Sequence, residues 1–376
     1  MNKLTRIALA IALLGGAGLA QAQLNTVSSA SSFNGTATVT ATGAGVLTAT
    51  SSNNGASIAT VGVGQFDSAA GVLVGADLLL NSSRTQLISG IGNKNNGPGR
   101  TANGSGSSTA GFLAPGVNSS FAPAATLAGS GCTLAMGPTG AISCGWGPVA
   151  SSAIATNASA SVNGASLNSY VGAGSTSVAL SLPSLGATTT LSSTKGMSGS
   201  GSSSTYSVTW AGNLQASYSY LLHAAPSFNG ASQLSSLTLD FGTVAQGASV
   251  SPLNFSLFNL GDANRVGLDL DSVSGSGNTS KLSTNLASFM ALAQSGSNAY
   301  LASLDTSTVG SFSAHYVLSL SDADVGASAT RSNYQLEVNL LGNVAAVPEP
   351  DTYAMLLAGL GLMGGIARRR AAGKTV

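Results

Sequence analysis

From Gln23 to Ala346 the apolar residues recur at every second position or in short runs, and Gly, Ser and Asn break the runs. A period of two places alternate side chains on opposite faces of an extended chain, which is the requirement of a half-buried strand and not of a helix. Examples are Thr36–Ala41, Gly71–Val74, Ala76–Leu80 and Ser177–Leu182, followed later by 234–240, 253–260, 312–320 and 334–341. Many short strands with frequent turn signals predict a mostly β chain of one or two β-sandwich domains.

Composition agrees with that class. The hydrophobic share, 43%, supplies enough apolar material for a core, while charged residues make up only 7%. Glycine numbers 49 in 376 residues, well above the usual ~7%. Net charge is +1, so repulsion-driven disorder of the whole chain is excluded. Lys and Arg are too few and too scattered in the body for phosphate neutralisation, which argues against a nucleic-acid partner. Two cysteines and two histidines exclude a multi-cysteine zinc or iron–sulfur scaffold.

Several local readings follow. Thr205–Trp210 and Gln215–Leu222 alternate on either side of Ala211-Gly212-Asn213 and predict a hairpin. Residues 93–120 are rich in Gly, Asn and Ser and poor in apolar groups, so a long flexible loop is expected there. A shorter Gly/Ser break covers 196–204. Leu282–Leu292 has apolar spacing suited to a short helix capped by Ser283 or Thr284. The pattern resets around Pro226–Ser232, which sets expected domains at 23–230 and 231–346.

The two ends read as addresses. Lys3 and Arg6 precede the apolar run Ile7–Ala20, and Ala20-Gln21-Ala22 closes it. A cationic start, a short apolar run and an A-x-A end make a secretory signal peptide over 1–22, with cleavage before Gln23 after Ala20 and Ala22. At the other end, Val347-Pro348-Glu349-Pro350 precedes the uncharged stretch Tyr353–Ala367, and Arg368, Arg369 and Arg370 follow. That stretch would make about 22 Å of helix against a hydrocarbon core of ~30 Å. A short transmembrane helix at 353–367 is expected, with snorkelling arginines and local thinning making up the difference. The arginines would lie inside and the body outside, as the signal peptide also requires.

Pro-Glu-Pro, a short apolar helix and an arginine cluster, in that order over 347–372, resemble the PEP-CTERM sorting signal. The resemblance implies an exported protein of a Gram-negative bacterium, held in the inner membrane until exosortase processes it and passes it to the surface or extracellular matrix. It further implies that Pro348, Glu349 and Pro350 are the recognition motif and Arg368, Arg369 and Arg370 the cytoplasmic stop. Prolines at 348 and 350 would keep the site extended. In the body, Val63–Leu80 resembles the opening of choice-of-anchor E domains, where an aromatic–Asp turn leads into a strand. Leu237–Gly247 with Leu253–Asn259 resembles the first strands of immunoglobulin-like choice-of-anchor D domains. Neither resemblance brings a catalytic residue.

Few other residues could carry chemistry. Cys132 and Cys144 flank Gly137-Pro138-Thr139-Gly140, a β-turn sequence, and in an exported chain predict a disulfide stapling a hairpin. His223 follows the Tyr218–Leu222 strand and His315 precedes Tyr316 in another; both read as sheet-surface residues. Glu337 and Glu349 are the only glutamates, so a glycosidase pair would have to come from Asp, and nothing marks one. Asp269 with Asp271, and Asp322 with Asp324, lie two apart, where alternation would put each pair on one face within reach of calcium. No D-x-D-x-D-G loop accompanies them, and no metal or cofactor is assigned. Gly359–Gly364 fits G-x-G-x-x-G but lies in the apolar stretch without the strand that a dinucleotide site needs. Gly361 and Gly365 fit G-x-x-x-G, a helix-packing pattern. Asn-x-Ser/Thr triplets at Asn81, Asn118 and Asn157 are expected by chance in so Ser/Thr-rich a chain.

The function expected from these readings is a non-enzymatic surface or matrix protein whose sandwiches bind exopolysaccharide, other matrix proteins or nothing specific, with exosortase as a processing partner. Two alternatives are a secreted polysaccharide-active enzyme using Asp residues and a calcium-dependent adhesin.

Overall fold

The computed structural model describes residues 24–94, 99–192, 201–261, 264–347 and 350–372. Among the described residues strand predominates, with 64% strand and 9% helix, which makes the protein mostly β, built of several sheets. The expected signal peptide, with Ala20, Ala22 and Gln23, lies outside the described residues.

The chain divides into two compact units. The first takes its strands from residues up to His223 and adds Ala263–Arg265 and Asp324–Arg331; the second holds the remainder from Ala224 onward.

The first unit contains β1 (Asn25–Ala44), β2 (Thr48–Ser52), β3 (Ala56–Gly64), β4 (Val72–Lys94), β5 (Thr101–Ala114), β6 (Val117–Ala128) and β7 (Cys132–Thr133). It continues with β8 (Ala135–Met136), β9 (Ile142–Ala150), β10 (Ile154–Ala155), β11 (Ala158–Ser161), β12 (Ser175–Leu182), β13 (Leu185–Leu191) and β14 (Gly201–Leu221). One sheet runs β1-β14-β4-β9-β8, with β10 and β11 also on β4. The other runs β2-β13-β5-β12-β3, with β6 and β7 also on β5. Alternate residues of both sheets point into one hydrophobic cluster, which joins Leu78, Leu80, Val208 and Trp210 of the first sheet to Val63, Phe112, Leu180 and Leu185 of the second. The period of two in the sequence is therefore the inward face of two packed sheets. Asp67 accepts from Ala69 N at 2.9 Å and turns the chain between β3 and β4, while the neighbouring Phe66 is buried in the core.

Asp324–Arg331 is held to the start of β4. Ala327 N donates to Leu73 O at 2.8 Å, and Leu73 N donates to Thr330 Oγ1 at 3.1 Å. Gly326 has φ +60°, and a Cβ there would lie 2.1 Å from Leu73 O, so only glycine fits this approach.

The second unit contains β15 (Pro226–Ser227), β16 (Ser236–Ala245), β17 (Leu253–Asn259), β18 (Leu268–Gly277), β19 (Leu282–Thr284) and β20 (Phe289–Leu292). After these come β21 (Ser297–Leu304), β22 (Gly310–Asp322), β23 (Asn333–Ala345) and α1 (Pro350–Ala372). A four-stranded sheet runs β15-β17-β21-β19 and a five-stranded sheet runs β16-β23-β22-β18-β20. Tyr316 of β22 links them by donating to Leu282 O of β19 at 2.7 Å. Asn259 is fully buried; its amide donates to Val266 O and Leu292 O at 3.0 and 3.1 Å and accepts from Ala225 N at 3.0 Å.

Three expectations are corrected. The flexible loop at 93–120 is instead β5 and β6 over most of its length. Its inward positions are Ala102, Gly104, Gly106, Ser108 and Ala110 because the facing sheet supplies the bulk: a Cβ on Gly106 would lie 2.2 Å from the Tyr206 ring. The hairpin at 205–222 is one continuous strand, β14, whose Ala211–Asn213 stay in register with Asn81–Ser83 of β4. The helix at 282–292 is two short strands, β19 on β21 and β20 on β18, since Leu282 is needed in one sheet and Phe289 pairs with Leu270 in the other.

Candidate functional site

The C-terminal segment begins where β23 ends. Pro348 and Glu349 lie outside the described residues, and α1 starts at Pro350. Proline is well placed there, because the first helical N–H has no intrahelical acceptor. Arg368 and Arg369 lie near the end of α1, where cations suit the negative end of the helix dipole. Arg368 and Arg369 are exposed. So are the large apolar residues of α1: Met355 is 74% exposed, Leu362 70% and Leu357 68%. Leu356, Leu360, Met363 and Ile366 join them, and together they cover well over half of the helix circumference. Such a surface is costly in water.

No helix among the described residues is long and apolar enough to cross a membrane. For α1 the reason is the expected transmembrane stretch itself, Tyr353–Ala367, which is short and bounded by Asp351 and Arg368.

The candidate residues of the body have structural partners. Cys132 and Cys144 form a disulfide with Cα atoms 5.9 Å apart. It does more than staple a hairpin. Cys132 is on β7, paired with β5 in one sheet, and Cys144 is on β9, paired with β4 in the other. The bond ties the two sheets of the first unit together beside a small cluster of Ala102, Leu134, Ile142 and Leu191. His223 makes a 2.8 Å hydrogen bond with Ser68 O, and His315 lies 3.6 Å from Glu337 on the neighbouring strand.

The aspartate pairs do not share faces. A register shift between Leu270 and Ser272 breaks the alternation, so Asp269 is buried and accepts from Ala291 N at 2.6 Å, while Asp271 is exposed and accepts from Ser321 Oγ at 3.1 Å. Asp322 is buried: Oδ1 accepts from Ala224 N at 2.8 Å and Tyr334 Oη at 2.9 Å, and Oδ2 accepts from Ser332 N at 2.8 Å. Asp324 pairs with Arg331. Among the described residues, no three His, Cys, Asp or Glu gather as a metal site would need.

Sequence reasoning missed a polar seam inside the first unit. Arg84, Gln86, Ser108 and Tyr206 are each at most 1% exposed. Tyr206 Oη donates to Gln86 Oε1 at 2.6 Å and contacts Ser108 Oγ at 3.2 Å, and Arg84 Nη1 donates to Ser108 O at 3.3 Å. Burial pulls the Arg84 guanidinium below its ordinary value and pushes the Tyr206 phenol up, with Ser108 and Arg84 opposing the latter. Nearby, Trp210 Nε1 donates to Ser82 Oγ at 2.9 Å. The signal was available: Arg84 and Gln86 have the same parity as the inward Leu78, Leu80 and Ile88. Shut away from solvent, these groups hold β4 to β14 and β5 and have no access to a polymeric substrate.

Residues 346–371 match the PEP-CTERM protein-sorting motif. The motif supports exosortase-dependent sorting of an exported protein. Among curated proteins none matches the chain. Among solved structures, a nucleoside hydrolase-related hypothetical protein from Saccharophagus degradans, described as associated with carbohydrate metabolism, is 19% identical over 34% of this chain, with a TM-score of 0.19. The match spans 26% of that protein's length.

Proposed function

We propose that this chain is an exported surface or extracellular-matrix protein with a structural or binding role, delivered by exosortase through Pro348, Glu349 and Pro350. The observation that carries the reading is the sorting motif at 346–371 on a helix whose large apolar residues are open to solvent. In this reading the N-terminal segment is a signal peptide cleaved before Gln23. The apolar stretch of α1 holds the chain in a locally thinned inner membrane, and Arg368–Arg370 stop it at the cytoplasmic side. The two β units are sandwiches, the second immunoglobulin-like, and they present neutral, hydroxyl-rich faces to exopolysaccharide or other matrix proteins.

The test is fractionation of cells carrying the wild-type chain or the variant Pro348→Ala/Glu349→Gln, each with an epitope in the exposed turn at 138–140. Gly106 is unsuitable for the epitope because it lies under the Tyr206 ring. The reading expects wild type outside the cell at reduced mass and the variant full-length in the inner membrane. Identical fractionation of the two would overturn sorting by the motif.

A further inference from the structure

We propose that the second half of β1, Thr36–Ala44, is a self-association edge that pairs antiparallel with the same strand of a second copy of this chain. β1 is 20 residues long, ends its sheet, and among the described residues has ladder pairing along one side only, to β14. An unpaired strand edge presents backbone N–H and C=O groups to any extended partner, and proteins block such edges with charge, proline, bulges or shortness. Other edges of this protein carry those devices. β2 has five residues and β8 two, β6 holds Pro123, β9 holds Pro148, and β16 has Asp240 beside a bulge. At β3, β1 itself does the blocking: Ser31 Oγ donates to Gly62 O at 2.6 Å and Gly64 N donates to Ser29 Oγ at 2.9 Å.

Thr36–Ala44 has no such device. Neither β1 nor its neighbour β14 contains a charged residue or a proline. The outward residues Thr36, Thr38, Thr40 and Thr42 are exposed, and the inward Ala37, Val39 and Ala41 are buried in the core. The segment reads Thr-Ala-Thr-Val-Thr-Ala-Thr from 36 to 42 and is the same in either direction. Two copies placed antiparallel about Val39 therefore put threonine opposite threonine at each outward position from 36 to 42, with no charge brought against like charge. A second copy fits that symmetry, because a two-fold contact needs a surface complementary to itself. Threonine pairs already join β1 to β14 on this face, Thr36 with Thr209 at 2.9 Å and Thr40 with Thr205 at 3.1 Å, and the same pairing would continue across the two-fold.

The experiment uses the full chain in detergent, with mass measured by light scattering after size exclusion. Wild type is expected to run as a dimer. Thr38→Lys/Thr42→Lys and Thr38→Glu/Thr42→Glu, both on the exposed face, are each expected to be monomeric, and an equimolar mixture of the two is expected to recover the dimer. Hydrogen exchange gives an independent reading: amides of 36–44 in wild type should exchange more slowly at high than at low protein concentration. A monomeric wild type, a dimer that survives both charge variants, or exchange at 36–44 that ignores concentration would overturn the proposal. A surviving dimer would place the contact elsewhere, including the Gly361/Gly365 face of α1.

Discussion

Tyr206 Oη donates to Gln86 Oε1 at 2.6 Å, across neighbouring strands and inside a core where both side chains are at most 1% exposed. The pair sits among Leu80, Ile88 and Val208, so its worth lies in mutual satisfaction. Among the described residues Gln86 Nε2 has no partner, which leaves the amide dependent on this one bond.

Tyr206→Phe is therefore expected to lower the unfolding free energy by about 1–3 kcal/mol, because an acceptor is stranded in the core. Tyr206→Phe/Gln86→Leu should lose less than the two single changes added together. A double-mutant cycle by urea denaturation checks this. Additive losses would show that the two side chains act independently.

The disulfide closes a loop with a sequence separation of 12 and joins the two sheets. Loop entropy alone predicts a contribution of about 3 kcal/mol. Cys132→Ser/Cys144→Ser should lower the unfolding free energy by that amount, and reductant should bring wild type to the same value. Reductant should leave the variant unmoved.

Gly106→Ala would bring a methyl to 2.2 Å from the Tyr206 ring. Overpacking of this kind costs about 1–3 kcal/mol. Gly147, also in a strand, has nothing within 4 Å of the place a methyl would take, so Gly147→Ala should be neutral or slightly stabilising. Thermal midpoints of the two variants, measured side by side, separate close packing from glycine content.

Burial raises the Tyr170 and Tyr218 phenols to about 12, while both donate to backbone carbonyls, Pro115 O and Gly64 O. The unfolded chain has ordinary phenols near ~10, so above that pH it has lost protons that the folded chain still holds. Stability from these tyrosines is complete below the unfolded value and is lost as pH rises from about 10 through about 12. Ultraviolet titration should show late, cooperative phenolate formation coincident with unfolding. A simple titration of all eight tyrosines near pH ~10 would contradict it.

Asp322 accepts three hydrogen bonds from within the fold. Asp322→Asn replaces one acceptor by a donor and should cost about 2–3 kcal/mol, whereas the exposed Asp271→Asn should stay within about 0.5 kcal/mol. Because the buried carboxylates are already engaged by the fold, the Tm is expected to be the same in EDTA and in millimolar calcium. A Tm raised by calcium would restore the adhesin reading.

Much of the fold is legible in the order of residues alone. Alternation marks β1, β12, β17, β22 and β23, because an inward Val or Leu every second residue has no other regular use. The sorting motif is legible for a different reason: its parts lie in sequence order and need no tertiary partner. The cysteine pairing follows from there being two.

Tertiary contact decided what lies beyond that local code. Residues 101–114 read as a loop because their inward side chains are small, yet they form a strand whose packing volume comes from Tyr206 on another strand. Leu282–Leu292 has helical spacing, but its apolar residues are drawn into two different sheets. Ala211–Asn213 would turn in isolation and are kept extended by β1 and β4 on either side. The disulfide's two sheets and the Arg84–Tyr206 seam likewise depend on which strands meet. Local pattern records how a residue alternates; the size of the space it enters and the partner waiting there belong to chain segments far away in sequence.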